Sequence, residues 1–219
     1  MVDDKTVEEF STYMKKFSDL YITLSKKVQV NTKSPQACVL DLGVGPGLLS
    51  REILRQIPGA FVIGIDPLMK MLILAKENVH QSNVRRFEPI LGVSEKLPLK
   101  ENSIDTIVSR FSLPYWEKPD ESFQEMHRII KPGGRVILEA LNKEFPKWKL
   151  FGIKISMLFN HAGRDVTKYH VDAYSLAHTQ EEVELFFKNS GFNILEKEGK
   201  KNDWKFTIVA EKKNLALST

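Results

Sequence analysis

The 219-residue sequence predicts an α/β fold with a seven-stranded sheet, helices on both faces, and a last strand that is antiparallel. Two observations predict it. Between residues 37 and 141, short apolar segments alternate with segments whose apolar residues recur every three or four positions, as in parallel strands joined by helices. Near the C-terminus, FNILEKEG and WKFTIVAEK are separated by only a short turn, so we expect them to pair antiparallel.

The N-terminal segment, residues 5–30, has the pattern of one amphipathic helix. Its apolar residues alternate spacings of four and three and therefore share a face; they are Phe10, Met14, Phe17, Tyr21, Leu24 and Val28. Thr6 followed by Glu9 has the spacing of a capping box. The dipeptide at 34–35, Ser-Pro, disfavours helix and predicts a linker before the first strand.

The core segment, residues 38–140, contains five predicted strands. In chain order they are ACVLDL, FVIGID, RRFEPILG, SIDTIVSRF and RVILEAL. The helix before the fifth strand is predicted to bury Phe123, Met126 and Ile130, and the following KPGG is predicted to be a turn.

Residues 142–178 contain no clear strand and interrupt the alternation. We interpret them as a substrate lid over the carboxyl edge of the sheet. They are basic, with six Lys or Arg against three Asp or Glu. Residues 179–211 then predict a helix, capped by Thr179 and Glu182, and the terminal hairpin. We expect residues 1–219 to form a single domain.

Composition narrows the class of protein. The single cysteine, Cys38, excludes a disulfide framework and a multi-cysteine metal site, so no metal is predicted. A net charge of +4 does not by itself indicate a nucleic-acid partner. No segment approaches the length of a transmembrane helix, and the N-terminus is too acidic for a signal peptide, so we expect a cytoplasmic protein. The sequence leaves the oligomeric state open.

The stretch VLDLGVGPGLLS, residues 39–50, places three glycines between a strand and a helix. Ligands of an open parallel sheet bind beyond the carboxyl ends of the strands, and glycines let a ligand touch the backbone. The spacing is G-x-G-x-G, and Leu48 stands where a dinucleotide fingerprint has its third glycine. Asp41 would repel a pyrophosphate, whereas it suits a cationic amino acid. Asp66, at the end of the next strand, can accept the hydroxyls of a ribose. The pattern favours a nucleoside with a methionine tail over NAD.

These segments resemble a known family. VLDLGVGPGLLS resembles motif I of the class I S-adenosylmethionine-dependent methyltransferases, and GIDPLMKMLILAKENV resembles the segment after their second strand. The stretch 97–140 resembles the type 11 methyltransferase group, which includes quinone-biosynthesis methyltransferases. The resemblance implies a Rossmann-like fold, S-adenosylmethionine as cofactor, and methyl transfer to a small-molecule substrate.

The resemblance also implies ten cofactor-binding residues, which are Asp41, Gly43, Gly45, Gly47, Asp66, Pro67, Ser94, Glu95, Ser109 and Arg110. Asp41 and the three glycines would hold the methionine end, Asp66 the ribose hydroxyls, and Pro67 would lie beside the adenine. Residues 94–95 resemble the clamp on the adenine amino group, and residues 109–110 would border the methionine amino group.

The sequence departs from the family pattern at two places. Val93 stands where the family commonly has an aspartate, so we expect the backbone or Glu95 to replace that contact with the adenine. Residues 114–115, Pro-Tyr, stand where relatives often have a pair of histidines, so no catalytic base is predicted. Methyl transfer requires a base only if the acceptor must lose a proton.

Four residues are predicted to bind the substrate: Tyr115, Arg164, Tyr169 and His170. The first follows the fourth strand and the others lie in the lid. Aromatic and basic residues of the lid suggest an acceptor with an apolar part and an anionic part.

Two alternatives remain open. Residues 112–115, Ser-Leu-Pro-Tyr, match the [DNS]-x-P-Y tetrad of adenine and amine N-methyltransferases, which stacks an aromatic ring on a flipped base. The tetrad lies about two residues further past the strand than in those enzymes, and the basic excess is small, so a nucleic-acid partner is disfavoured. The other alternative is a non-catalytic module that binds S-adenosylmethionine.

Overall fold

The computed structural model describes residues 4–80, 86–159 and 164–213. Within them the strands are β1 (Cys38–Leu42), β2 (Phe61–Asp66), β3 (Phe87–Leu91), β4 (Ile104–Arg110), β5 (Ile130–Leu141), β6 (Phe192–Glu198) and β7 (Lys205–Lys212). The helices are α1 (Asp4–Met14), α2 (Ser18–Asn31), α3 (Leu48–Gln56), α4 (Met69–His80), α5 (Pro119–Ile129), α6 (Lys147–Phe159), α7 (Arg164–Ser175) and α8 (Gln180–Asn189). Two short 3-10 turns, Lys15–Phe17 and Leu113–Tyr115, join helices or follow strands.

The seven strands form one sheet in the order β3-β2-β1-β4-β5-β7-β6. Strands β1 to β5 pair parallel, and β7 lies antiparallel between β5 and β6. The predicted seven-stranded α/β fold with an antiparallel last strand is confirmed. Chain order reverses between β1 and β4, which makes the carboxyl ends of these neighbouring strands the switch point where ligands bind.

Helices cover both faces of the sheet. On one face, α2, α3 and α4 bury an apolar cluster that includes Leu24, Val28 and Ile53. On the other face, α5 and α8 bury a second cluster in which the fully buried ring of Phe123 meets Phe187 edge to face at 4.7 Å between centroids. Replacing such a ring with alanine typically costs about 3–5 kcal/mol. These two cores fix the strand ends that carry the site.

The N-terminal segment differs from the single predicted helix. The 3-10 turn at Lys15–Phe17 separates α1 from α2, and Phe17, predicted on the buried face, is 37% exposed. A 3-10 turn has about three residues per turn instead of 3.6, so it rotates the apolar stripe out of register. Thr6 lies inside α1, which includes residue 4, so the pair Thr6 and Glu9 does not cap that helix as expected.

The start of β5 was also predicted wrongly. Ile130 belongs to the strand and pairs with Ile104, and the residues KPGG lie within the strand instead of forming a separate turn. The ladder shifts register between Ile104 and Thr106, which accommodates these residues as an irregularity. Gly134 lies there because a Cβ atom would stand 2.8 Å from the carbonyl oxygen of Asp105.

The segment after β5 folds into α6 and α7. The predicted cap of the next helix is confirmed, since Thr179 Oγ1 accepts from the Glu182 amide at 3.1 Å and Glu182 Oε2 accepts from the Thr179 amide at 2.8 Å. In the described ranges of the chain, no helix has the length and apolar character needed to cross a membrane.

Candidate cofactor and acceptor site

A cavity of about 630 Å³ lies at the carboxyl ends of β1, β2 and β4. Eight of the ten predicted cofactor residues line it; they are Asp41, Gly43, Gly45, Asp66, Pro67, Ser94, Glu95 and Arg110. Phe10 and Met14 of α1, Tyr21 of α2 and Ala173 of α7 also form part of its wall. The topology of the sheet therefore gathers side chains from distant parts of the sequence around one space.

The glycine loop follows β1 and is held against β2. The amides of Gly43 and Val44 both donate to the carbonyl oxygen of Ile65, at 2.8 and 3.0 Å. Gly43 has a φ of +77°, and a Cβ atom there would lie 2.3 Å from Cβ of Ser112, so only glycine fits. Gly45 has a φ of +51°, and no atom lies within 4 Å of the place its Cβ would take. The backbone at Gly45 thus faces open space in which a ligand fits.

Two predicted cofactor residues, Gly47 and Ser109, do not belong to the cavity wall. A Cβ atom on Gly47 would lie 2.8 Å from Cα of Ala75, so this glycine lets α3 pack closely on α4. Ser109 is fully buried, and its hydroxyl is hydrogen-bonded to that of Ser112. Ser112 in turn donates to the carbonyl oxygen of Leu42 at 3.2 Å. Gly47 and Ser109 therefore support the conformation of the glycine loop without facing the cavity.

Asp41 is buried in the wall at the end of β1, with 1% of its surface exposed. The hydroxyl of Ser50 donates to Asp41 Oδ2 at 2.7 Å. Burial raises the pKa of Asp41 to about 7; the hydrogen bond from Ser50 opposes this rise, and the charge of Asp66 adds to it. A carboxylate in this position gains stability from a nearby cation, so the site suits a ligand with an ammonium group.

Asp66 ends β2 and ties the glycine loop to the next segment. Its Oδ2 accepts from the Gly45 amide and its Oδ1 from the Leu68 amide, both at 2.9 Å. Burial raises the pKa of Asp66, and the two amide hydrogen bonds oppose the rise. Each carboxylate oxygen can accept more than one hydrogen bond, so Asp66 retains acceptor capacity for ligand hydroxyls.

The loop after β3 supplies Ser94 and Glu95. The hydroxyl of Ser122 donates to Ser94 at 2.9 Å, and Glu95 Oε1 accepts from the Lys118 amide at 3.2 Å. Val93 lines the cavity and is 47% exposed, so no carboxylate stands at that position. Glu95 is the acidic residue of this loop that lines the cavity. That Glu95 replaces the missing aspartate in the contact with the adenine stays a prediction.

Arg110 ends β4 with a side chain that is 5% exposed. Its Nε donates to Glu139 Oε1 at 2.8 Å, and its guanidinium carbon lies 4.5 Å from the ring centroid of Tyr21 and 4.2 Å from that of Phe111. The ammonium of Lys205 contacts the other oxygen of Glu139. The charge of Arg110 lowers the pKa of Asp41, so the two side chains act on each other across the wall, and the place of Arg110 beside the methionine amino group stays a prediction.

Of the four predicted substrate residues, the structure describes the side chain of Tyr115 alone. Tyr115 lies on the wall and is 42% exposed. Arg164, Tyr169 and His170 belong to α7, but their side chains lie outside the described part of the structure. From α7, Ala173 reaches the cavity.

Sequence reasoning missed several wall residues. The sequence predicts only that Phe10, Met14 and Tyr21 share one face of a helix, and an apolar face has the same pattern whether it packs on a core or covers a ligand. The pair of Arg110 with Glu139 was also missed, although a glutamate inside the apolar strand RVILEAL is a usable signal, because a buried charge needs a partner. In the described part of the chain, no group of three His, Cys, Asp or Glu is placed to hold a metal ion.

The fold and the acid-and-glycine loop at its switch point define a class of protein, the class I S-adenosylmethionine-dependent methyltransferases. Residues 40–138 match the family described as a methyltransferase domain, Methyltransf_11. The resemblance seen in the sequence is confirmed, and the family implies S-adenosylmethionine as cofactor.

Similar proteins extend this assignment. The malonyl-[acyl-carrier protein] O-methyltransferase of Herminiimonas arsenicoxydans is 32% identical over 107 residues, which are 49% of this chain and 38% of that protein. The ubiquinone/menaquinone biosynthesis C-methyltransferase of Wigglesworthia glossinidia brevipalpis is 24% identical over 75% of this chain and 70% of its own length. A crystal structure of a SAM-dependent methyltransferase from Aquifex aeolicus shares the fold, with a TM-score of 0.71 and 19% identity over 97% of this chain and 100% of the other. The chain thus spans about two fifths (38%) of the first relative.

Proposed function

We propose that the protein transfers a methyl group from S-adenosylmethionine to a small-molecule acceptor. The cavity carries this proposal, because it joins the buried acid Asp41, the bare backbone at Gly45 and the acid Asp66 in one space. Its volume of about 630 Å³ lies within the range of about 300–1,000 Å³ typical of small-ligand sites.

The residues present fit this cofactor. Asp41 would balance the ammonium group of the amino acid end, Gly45 would let that end approach the backbone, and Asp66 would accept from the ribose hydroxyls. S-adenosylmethionine, when bound, supplies a methyl group on a positively charged sulfur, which is already activated for transfer. The protein therefore has to align the acceptor and exclude water.

Exclusion of water would fall to the N-terminal helices. Phe10 and Met14 of α1 and Tyr21 of α2 line the cavity and give it apolar surface. No histidine or cysteine belongs to the wall as the described residues form it.

The alternative based on residues 112–115 finds less support. Ser112 directs its hydroxyl to Leu42 and Ser109 and lies directly under Gly43. These contacts favour a supporting role for Ser112 over one in which it holds the amino group of a base. Tyr115 lines the cavity and is 42% exposed, so it does not separate the two kinds of acceptor.

The test uses purified protein, methyl-labelled S-adenosylmethionine and an extract of the source cells, with small molecules separated from macromolecules afterwards. We expect label in the small-molecule fraction. Asp66→Asn should lower the rate at limiting cofactor by about tenfold or more, because hydrogen bonds to a charged group are worth about 1.5–3 kcal/mol.

Asp105→Asn is the matched control. Asp105 is also an acid of the sheet, but it pairs with Lys131 at 2.7 Å and does not line the cavity. Label in RNA, DNA or protein would favour the alternative based on residues 112–115. Tight binding of S-adenosylhomocysteine with no label in any fraction would indicate a non-catalytic module.

A further inference from the structure

The outer face of α6 carries three large apolar side chains that contact solvent. Trp148 is 74% exposed, Phe151 63% and Ile155 41%. Because a helix has about 3.6 residues per turn, these three positions fall within about 60° of one another around its axis and form one apolar stripe. In the described part of the chain, none of the three lines the cavity. Large apolar side chains that share an exposed face mark a site of interaction, and the proposed acceptor site does not account for them.

The inner face of α6 is apolar as well and holds the helix on the molecule. Leu150 packs against a cluster that includes Leu141 and Ala173, two residues that line the cavity. Met157 is buried in a second cluster with Val166 of α7. A surface helix normally presents polar residues to water, whereas α6 is apolar on two opposite faces. Since the inner face already packs on the protein, the outer stripe is left for a partner outside it.

The residues beside the stripe are basic. The sequence of α6, KWKLFGIKISMLF, contains three lysines and no acidic residue. Lys147 and Lys149 are exposed and flank Trp148 in the sequence, so they lie about 100° to either side of it around the helix. The ammonium of Lys149 is 5.5 Å from the ring centroid of Trp148. A helix that lies in the plane of a bilayer has this arrangement, with an apolar face toward the acyl chains and lysines at the anionic head groups.

We propose that the outer face of α6 binds the surface of an anionic lipid bilayer, with the three apolar side chains between the head groups and the two flanking lysines near the phosphates. This inference goes beyond the proposed methyl transfer and does not depend on it. The 13 residues of α6 extend for about 20 Å, which is shorter than the hydrocarbon core of about 30 Å. The helix therefore lies on the bilayer instead of crossing it.

The lysines favour a bilayer over a second copy of this chain as the partner. A two-fold dimer would place the same face of each copy against the other, so that lysines would lie near lysines. These like charges repel, and α6 has no acidic residue to pair with them. An anionic bilayer instead attracts the lysines along both edges of the stripe.

The experiment measures how the purified chain sediments with lipid vesicles. One set of vesicles is phosphatidylcholine alone, and in the other about one third of the lipid is phosphatidylglycerol. We expect binding to the anionic vesicles to be about tenfold or more tighter, and to weaken in about 1 M salt, where the Debye length is about 3 Å. Trp148→Ala with Phe151→Ala should lower the partition coefficient by about tenfold or more. Lys147→Gln with Lys149→Gln should lower it by a similar factor on anionic vesicles alone.

Two double variants serve as matched controls. Leu185→Ala with Leu195→Ala removes apolar side chains that are 56% and 45% exposed on α8 and β6. Lys96→Gln with Lys100→Gln removes two exposed lysines between β3 and β4. Both controls should bind the vesicles as wild type does.

The proposal is overturned if wild type does not bind anionic vesicles, if the variant lacking Trp148 and Phe151 binds them equally well, or if either control loses as much binding. Sedimentation velocity without lipid tests the other occupant. A dimer that dissociates when Trp148 and Phe151 are replaced would assign this face to a second copy and would also overturn the proposal. Melting curves show whether each variant is folded.

Discussion

Asp41 and Asp66 are two buried acids in one cavity, and their surroundings give them different roles. Asp66 accepts two backbone hydrogen bonds and holds the glycine loop, so part of its binding capacity is structural. Asp41 has one side-chain donor, Ser50, and burial raises its pKa to about 7. Near neutral pH, Asp41 is therefore partly protonated until a cation enters the cavity.

This raised pKa predicts a pH dependence of cofactor binding. A ligand with an ammonium group favours the ionised form of Asp41, so the pKa of Asp41 falls when the ligand binds. Above pH 7 Asp41 is already ionised and affinity should be constant. Below pH 7 a proton must first leave, so the Kd for S-adenosylhomocysteine should rise by up to about tenfold per pH unit. Isothermal titration calorimetry between pH 5.5 and 8.5 measures this.

The variant Asp41→Asn tests whether Asp41, and not a neighbouring group, causes the pH dependence of binding. The variant should bind about tenfold more weakly at pH 8, since it lacks the charge, and its Kd should hardly change down to pH 6. Asp66→Asn should bind S-adenosylhomocysteine weakly and keep a pH dependence, but its Kd should begin to rise at a lower pH, because loss of the Asp66 charge lowers the pKa of Asp41. Asp66 and Arg110 are the charged groups whose fields act on Asp41, and burial raises the pKa of Asp66. A slope that persists in Asp41→Asn would assign the proton to another group.

At the scale of elements, the glycines of the loop between β1 and α3 serve two different purposes, ligand binding and helix packing. Gly45 faces the open cavity, whereas Gly47 faces the backbone of α4 at Ala75. Both have a positive φ, so any other residue is strained at either position. Only the surroundings of the missing Cβ atom differ, and this difference separates binding from stability.

We expect Gly45→Ala and Gly47→Ala to fail in different ways. Alanine at 45 adds about 1–2 kcal/mol of backbone strain and a methyl group in the space of the ligand, so the Kd for S-adenosylhomocysteine should rise by tenfold or more. Alanine at 47 adds the same strain plus a contact of 2.8 Å with Cα of Ala75, which forces α3 from α4 and costs about a further 1–3 kcal/mol of unfolding free energy. Urea denaturation and calorimetry measure the two effects. Equal losses of stability would contradict this division.

The elements that could be predicted from sequence are those whose pattern is local. The strand–helix alternation, the terminal hairpin and the cap at Thr179 depend on periodicity or short-range hydrogen bonds. The predictions from sequence were wrong where contacts between distant residues determine the local structure. Ile130 joins a strand because Ile104 lies beside it, although its spacing fits the preceding helix. The pairing of Glu139 with both Arg110 and Lys205 depends on how β5 aligns with β4 and β7, which no spacing in the sequence reveals.

At the scale of the whole molecule, the cavity is closed by parts that are held less firmly than the sheet. Helices α1 and α7 meet through a small cluster in which Met157 and Val166 are buried and Phe10 and Tyr13 pack against them. The clusters on the two faces of the sheet each bury many more residues. Regions with few buried apolar contacts open more readily, so α1 and α7 should exchange amide hydrogens faster than α5 and α8.

Bound ligand should change this order of stability. Phe10 and Met14 of α1 and Ala173 of α7 line the cavity, so S-adenosylhomocysteine bound there adds contacts that exist only when both helices are in place. At a ligand concentration of about 100 times the Kd, the stabilisation is about 2.7 kcal/mol, or roughly a hundredfold in the opening equilibrium. Hydrogen exchange followed by mass spectrometry should therefore show slower exchange in α1 and α7. Local openings of α8, which packs on the other face of the sheet away from the cavity, should change little. Protection that is equal in all helices would mean that exchange there proceeds by global unfolding, and unchanged exchange in α1 would show that the N-terminal helix does not cover the bound ligand.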